Sequence, residues 1–294
     1  MLSSAIFDAI TVNDISFLFN KDISVSVLRL DQLHPVISGN KWFKLQGYLQ
    51  EAKAQHKNNI ITFGGAWSNH ILATAAACRM SGQQATGIIR GEEPVVFSST
   101  LIQAREWGMQ LVFIPRSAYR DKYIPGQYLT PDSYVIDEGG YGAPGAKGAA
   151  GIPGLCSTDF THYCCAVGTG TTMAGLINAA APEQNITGIS VMKNNTGLEE
   201  MVGTLVINRH TNWELLHDYH FGGYAKAGPG LFPFMNEFYN STQIPSDFVY
   251  TGKLFYAVSD LIEKDYFAPG SKLLVIHSGG LQGNASLPKG TLIF

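Results

Sequence analysis

Ala166-Val167-Gly168-Thr169-Gly170-Thr171-Thr172-Met173-Ala174-Gly175 is the stretch that decides the fold. The apolar run Tyr163–Val167 before it predicts a strand, and Thr172–Ala181 predicts a helix. A strand that turns through glycine into a helix opens a βα unit. It is also good anion chemistry: glycine lets the backbone approach closely, threonine hydroxyls donate, and the helix dipole favours negative charge. A dinucleotide site asks for G-x-G-x-x-G, but Met173 holds the third glycine position and Ile189–Asn195 contains no acid to hold a ribose. The Gly-Lys-Ser/Thr of a P-loop is absent. A monophosphate fits these residues better, and a purely structural glycine turn fits them too.

Working outward, the same alternation recurs. Strands are predicted over Asn59–Phe63, Ala85–Ile89, Leu111–Ile114, Ile186–Val191 and Leu273–Ile276, with helices over Ile71–Met80 and Ser98–Trp107. Strands alternating with helices imply an α/β fold with mostly parallel sheets covered on both faces, a three-layer αβα arrangement. Such sheets bind ligands at the carboxyl ends of their strands. Gly64-Gly65, Gly168-Thr169-Gly170 and Ser278-Gly279-Gly280 all fall there, which suggests one crevice built from several loops. Gly139–Gly154, rich in Gly, Ala and Pro, reads as a crossing between two lobes.

Composition narrows the class. The chain has 294 residues, 45% apolar and 15% charged, with a net charge of −3. That excludes disorder and gives no basic footprint for nucleic acid. No apolar run reaches the ~18 residues of a membrane span. Met1–Asn20 lacks a basic leader and contains Asp8 and Asp14, so a cytoplasmic protein is expected. Cys78, Cys156, Cys164 and Cys165 form no CxxC pair and no metal spacing; no metal site is expected, and Cys164-Cys165 reads as buried strand.

Two further segments carry chemistry. In Ser38-Gly39-Asn40-Lys41-Trp42-Phe43-Lys44-Leu45, Lys41 follows a small turn and precedes a helix start. A lysine at such a junction is partly desolvated, which depresses its pKa and makes the amine nucleophilic. Lys44 shares a helix face with it but reads as a solvated surface lysine. In Phe63-Gly64-Gly65-Ala66-Trp67-Ser68-Asn69-His70, the polar side chains sit between strand and helix, where they face a ligand or simply cap the helix. The stretch is not the G-x-S-x-G of a hydrolase elbow. His70 reads as a structural histidine.

Ser-Gly-Asn-Lys, Gly-Gly-x-x-Ser-Asn-His, Gly-Thr-Gly-Thr-Thr-x-Ala-Gly, Val249-Tyr250-Thr251-Gly252-Lys253 and His277-Ser278-Gly279-Gly280 occur in the order seen in the ACC (1-aminocyclopropane-1-carboxylate) deaminase / D-cysteine desulfhydrase family. The chain resembles that family over roughly Leu28 to Gly283. The resemblance implies a tryptophan-synthase-β-like, fold-type II enzyme using pyridoxal 5'-phosphate. It implies a large domain of residues 1–44 and 142–294, a small inserted α/β domain of residues 45–141, and a homodimer. It implies that Lys41 carries the cofactor and moves the α-proton, and that Asn69 binds the cofactor's phenolic oxygen. Ser68 would lie near the substrate carboxylate, with Gly168, Thr169, Gly170, Thr171 and Thr172 forming the phosphate cup. Tyr250, and Tyr224 in Gly222-Gly223-Tyr224, would be active-site tyrosines.

Thr251 matches the residue facing the pyridine nitrogen, typically a glutamate in ACC deaminases. A neutral hydroxyl makes a weaker electron sink, which suffices for β-elimination but less readily for opening a cyclopropane. The expected function is therefore a lyase acting on a small amino acid, D-cysteine-like, giving a 2-oxo acid and ammonia. ACC deamination and a non-catalytic cofactor-binding protein are the alternatives. Trp67 and Phe248 depart from the family pattern and bear on substrate identity, not on the cofactor.

Overall fold

A computed structural model describes residues 9–157 and 159–294. Met1–Asp8, on which the leader argument partly rests, lies outside the described residues.

The strand predicted before the glycine turn is β7 (His162–Val167), central in a six-stranded sheet. Its order is β1 (Val12–Asp14), β2 (Ile23–Arg29), β10 (Ser271–His277), β7, β8 (Asn185–Ser190), β9 (Asn212–Leu216). All neighbours run parallel except the edge strand β1, antiparallel to β2. A second sheet, wholly parallel, has the order β5 (Met109–Ile114), β4 (Gln84–Arg90), β3 (Asn59–Gly64), β6 (Ser133–Ile136).

Both sheets read as continuous apolar runs because both faces are covered. Successive residues point to opposite sides. Thus Tyr163, Cys165 and Val167 join one core with Leu28, Leu274 and Ile276, while Cys164 and Ala166 join another with Val25, Val27 and Val275. The cysteine pair is buried strand, as expected, and free. The first core also takes side chains from α1 (Asn40–Ala54), α2 (Asn69–Ser81), α5 (Ala143–Ala149) and α6 (Thr171–Ala179). The second is closed by α8 (Leu231–Thr242) and α9 (Thr251–Glu263). On the four-stranded sheet, α2 and α3 (Ser99–Glu106) cover one face, and Tyr119 of α4 (Arg116–Arg120) caps Ile61, Phe63, Ile88 and Ile114 on the other.

The Gly/Ala/Pro-rich segment is more than a crossing. It contains α5, which packs against both α1 and α6. Its small residues resemble a linker in composition but serve close helix contact: a Cβ on Gly148 would overlap the Phe43 carbonyl, and one on Gly175 would sit 2.6 Å from Ala149 Cβ. Substituting Gly148→Ala is therefore expected to destabilise the protein by about 3 kcal/mol through overpacking. Gly154→Ala, whose Cβ meets nothing within 4 Å, should cost well under that in the same urea titration. Equal stability of the two variants would contradict the close packing of α5.

Candidate active site

Four loops converge at the carboxyl ends of the strands. The loop before α1 meets the loop after β10 backbone to backbone, with the Ser38 hydroxyl against Gly279. Gly39, at φ 69°, would drive a Cβ into the Ser278 carbonyl, and Gly279, at φ 74°, would place one 3.0 Å from Gly39 Cα. Only glycine tolerates both the left-handed backbone and the approach. Asn40 N donates to Ser278 O at 3.3 Å, which sets the start of α1 and hence the direction of Lys41.

From there a polar chain runs to the turn after β7. Lys41 Nζ donates to Asn40 Oδ1 at 3.1 Å, and Asn40 Nδ2 donates to the buried Thr172 Oγ1 at 2.7 Å. The amine and the glycine–threonine turn thus share one site, linked by Asn40, a residue to which the sequence reading gave no role. Within the turn Thr169 and Thr171 hydroxyls lie 3.3 Å apart, and the Tyr250 ring covers Gly168, whose Cβ would be 3.2 Å from Tyr250 Cε1. α6 begins at Gly170 with no side-chain cap, whereas α2 and α3 are capped by Ser68 and Ser98. With three threonines at hand, leaving the first N–H groups of α6 uncapped is what an anion site requires.

Ser68 accepts from Ile71 N at 3.3 Å, so it does cap α2, the plainer of its two readings. Asn69 points inward: a Cβ on Gly280 would meet Asn69 Nδ2 at 2.6 Å and Asp247 Oδ1 at 3.5 Å, and Asn69 Oδ1 is buried without a partner among the described residues. Trp67 is 40% exposed on the turn before Ser68 and does not pack as a core aromatic. His70 is buried, its Nε2 2.8 Å from Thr62 Oγ1, a structural role as expected. Tyr224 and Tyr250 meet edge to face at 6.1 Å between centroids.

Asp247 was missed. Its carboxylate is fully buried beside Asn69 and Gly280, accepting from the backbone N–H groups of Val249, Tyr250 and Thr251 and from the Thr251 hydroxyl, each at 2.8–2.9 Å. Its short spacing to α9 resembles an N-terminal helix signal, which is the only trace it leaves in the sequence. Thr251 is correspondingly engaged: its hydroxyl proton goes to Asp247 Oδ1 while its oxygen accepts from Asp247 N at 2.8 Å.

The Lys44 expectation needs correcting. The residue is only 3% exposed, with Nζ donating to Gly139 O at 3.2 Å. A helix face that reads as amphipathic is here enclosed on both sides, because α5 and the Glu138–Gly140 turn cover α1.

Burial governs the electrostatics. It pushes the Lys41 amine down to about 8, against the upward pull of Asp247. Burial, reinforced by Lys41, drops Lys44 well below the lysine range. Burial and the two lysines do the same to His70, so it stays neutral. Burial also raises Tyr250 well above its usual value, so that phenol keeps its proton.

The sequence signature described as "Pyridoxal-phosphate dependent enzyme" matches residues 18–279. A putative 1-aminocyclopropane-1-carboxylate deaminase of Pyrococcus abyssi is 30% identical over 288 residues, covering 89% of this chain and 86% of its own. A bifunctional D-cysteine desulfhydrase/1-aminocyclopropane-1-carboxylate deaminase of Arabidopsis thaliana is 28% identical, covering 84% of this chain and 70% of its own. The crystal structure of an ACC deaminase homologue superposes with a TM-score of 0.78 at 26% identity, covering 94% of this chain and 90% of that one.

The residues present fit pyridoxal phosphate. An uncapped helix N-terminus ringed by hydroxyls suits the phosphate, a desolvated amine suits the aldehyde, and the orphaned Asn69 side chain lies between them and Asp247. In cofactor-free protein, trapping of Lys41 by a small aldehyde and a reductant should rise with pH to a midpoint near 8, since only the neutral amine attacks. Asp247→Asn removes the charge that favours the ammonium, so the midpoint should fall further. A wild-type midpoint at the ordinary lysine value would refute the desolvated site.

Proposed function

The chain belongs to the family of pyridoxal-phosphate dependent enzymes, and from that premise we propose that it is a lyase removing a β-substituent from a small amino acid, D-cysteine-like. The observation that carries this reading is the hydrogen-bonded chain from Lys41 Nζ through Asn40 to Thr172, which joins a depressed amine to an anion-ready turn.

The cofactor supplies an electron sink that acidifies the C–H bond beside a bound amine. The protein's residues do the rest. Lys41 would carry the cofactor and would take the α-proton; its pKa, lowered to about 8, leaves far more of the amine unprotonated than in an ordinary lysine. Gly168, Thr169, Gly170, Thr171 and Thr172 would hold the phosphate, and Asn69 would bind the ring oxygen. Ser68, which caps α2, would lie near the substrate carboxylate. Tyr250, which keeps its proton and so can donate a hydrogen bond, and Tyr224 beside it would face the substrate as the active-site phenols. Water then converts the unsaturated amine product to a 2-oxo acid and ammonia.

Thr251 supports β-elimination over ring opening. A neutral side chain stands where the family's ACC deaminases typically carry a glutamate, and Asp247, which accepts the Thr251 hydroxyl proton, is otherwise engaged by three backbone N–H groups. The names of relatives favour ACC deamination as the second reading. We also propose the division into residues 1–44 with 142–294 and an inserted 45–141, in keeping with the strands each sheet takes. A homodimer, on resemblance alone, and a cytoplasmic location, on the sequence reading alone, complete the proposal.

The purified protein should be yellow, and Lys41→Ala should lose that colour. D-Cysteine should yield sulfide, ammonia and 2-oxo acid in equal amounts, with ACC turned over at least about tenfold more slowly. Comparable rates on ACC would reverse the substrate assignment. Colourless protein that takes up no pyridoxal phosphate would end the reading altogether.

A further inference from the structure

The turn that carries Tyr224 is held in an unfavourable shape. Phe221, Gly222, Gly223 and Ala225 have φ of 50°, 93°, 115° and 51°. Left-handed backbone at a bulky residue such as Phe221 is disfavoured, because its Cβ crowds the following carbonyl. Its internal bonds are few: Gly223 N donates to His220 O at 3.0 Å, Gly222 N to His220 Nδ1 at 2.9 Å, and Lys226 N to Gly223 O at 3.1 Å. Something else holds it in place.

That support comes from α9. Lys253 lies in its first turn, 0% exposed, and its Nζ donates to both His220 O and Gly223 O at 2.8 Å. One amine therefore bridges the two ends of the turn. Three residues further along α9, Tyr256 meets the Phe221 ring edge-on at 4.8 Å. Asp247's charge favours the ammonium against burial, and the Lys193 side chain packs beside Gly223. Burying an amine is costly unless its donors find acceptors, and two of them are used here. Here the acceptors belong to a turn whose flanking residues, Gly222 and Tyr224, are exposed, and whose next residue touches Tyr250.

We propose that Lys253 is a positioning residue: its side chain clamps the His220–Gly223 turn and so holds Tyr224 against Tyr250 over the site. The proposal rests on the reading above only in giving those tyrosines a catalytic use; the clamp itself is a property of the chain. It also explains why a lysine should follow Tyr250-Thr251-Gly252, where the helix begins and no solvent is reached.

The test compares wild-type, Lys253→Met, Tyr224→Phe and the double variant, all loaded with pyridoxal phosphate. Lys253→Met should keep the cofactor absorbance, lose hydrogen-exchange protection across residues 220–226, and lower kcat for D-cysteine by up to about 100-fold, the effect of a misplaced group. Tyr224→Phe should lower kcat similarly with protection intact, and the double variant should be little worse than either single. Wild-type protection in Lys253→Met, or losses that multiply, would overturn the clamp. If no variant, nor the wild type, turns over substrate, the functional reading fails while the exchange comparison still decides the clamp. If Lys253→Met does not fold, Gly223→Ala loosens the turn from its own side. Acylation of Lys253 by acetic anhydride, followed by mass spectrometry, should then be much faster than in wild type. An unchanged rate would mean that the core, not the turn, holds the lysine.

Discussion

Removing water from a single amine organises this molecule. Lys41 is turned inward because α1 starts on the Ser278 carbonyl, and it meets there two other bases and one acid: Lys44, His70 and Asp247. In a medium of low polarisability three cations cannot share so small a volume. The outcome is a neutral Lys44 and His70 and a weakened Lys41 ammonium around one carboxylate, whose oxygens take three backbone N–H donors and the Thr251 hydroxyl. That balance keeps an amine reactive without making it a surface nucleophile, and the loops at the strand ends exist in a geometry that preserves it.

The carboxylate merits the same physical reading. Burial raises Asp247's affinity for a proton, while the Thr251 and Tyr250 donors oppose that rise. Four donors on one side chain fix the loop that leads into α9 and, with it, the placement of Tyr250 and Thr251. The threonine is therefore not a free hydroxyl. Its proton is directed at the carboxylate, so toward a ligand it presents an oxygen lone pair.

Much of this was legible in the sequence. The βα alternation, the strand ending in Gly168, the buried cysteine pair and the suspicion that Lys41 is desolvated all follow from local pattern, because period and glycine placement are local properties. Lys44 and Asp247 were not legible. Lys44 reads as solvated and Asp247 stands outside every motif, and both meet elements remote in sequence: the Glu138–Gly140 turn and α5 over Lys44, Gly280 beside Asp247. That the crossing from one sheet to the other contains the packed helix α5 was hidden for the related reason that close helix packing selects Gly and Ala, the residues a flexible segment also uses. Asn40 shows the limit most simply. It was quoted as part of a motif, yet only the fold reveals that its amide spans from Lys41 to Thr172.

The backbone contact between Gly39 and the Ser278–Gly279 peptide joins positions near opposite ends of the polypeptide. During synthesis the lysine, the asparagine and the threonine turn all leave the ribosome long before the strand Ser271–His277 that seats them. A nascent or truncated chain thus has the nucleophile but nothing to aim or dry it, and at neutral pH it carries an ordinary protonated lysine. Reactivity toward cellular aldehydes is withheld until the strand Ser271–His277 has been made and paired.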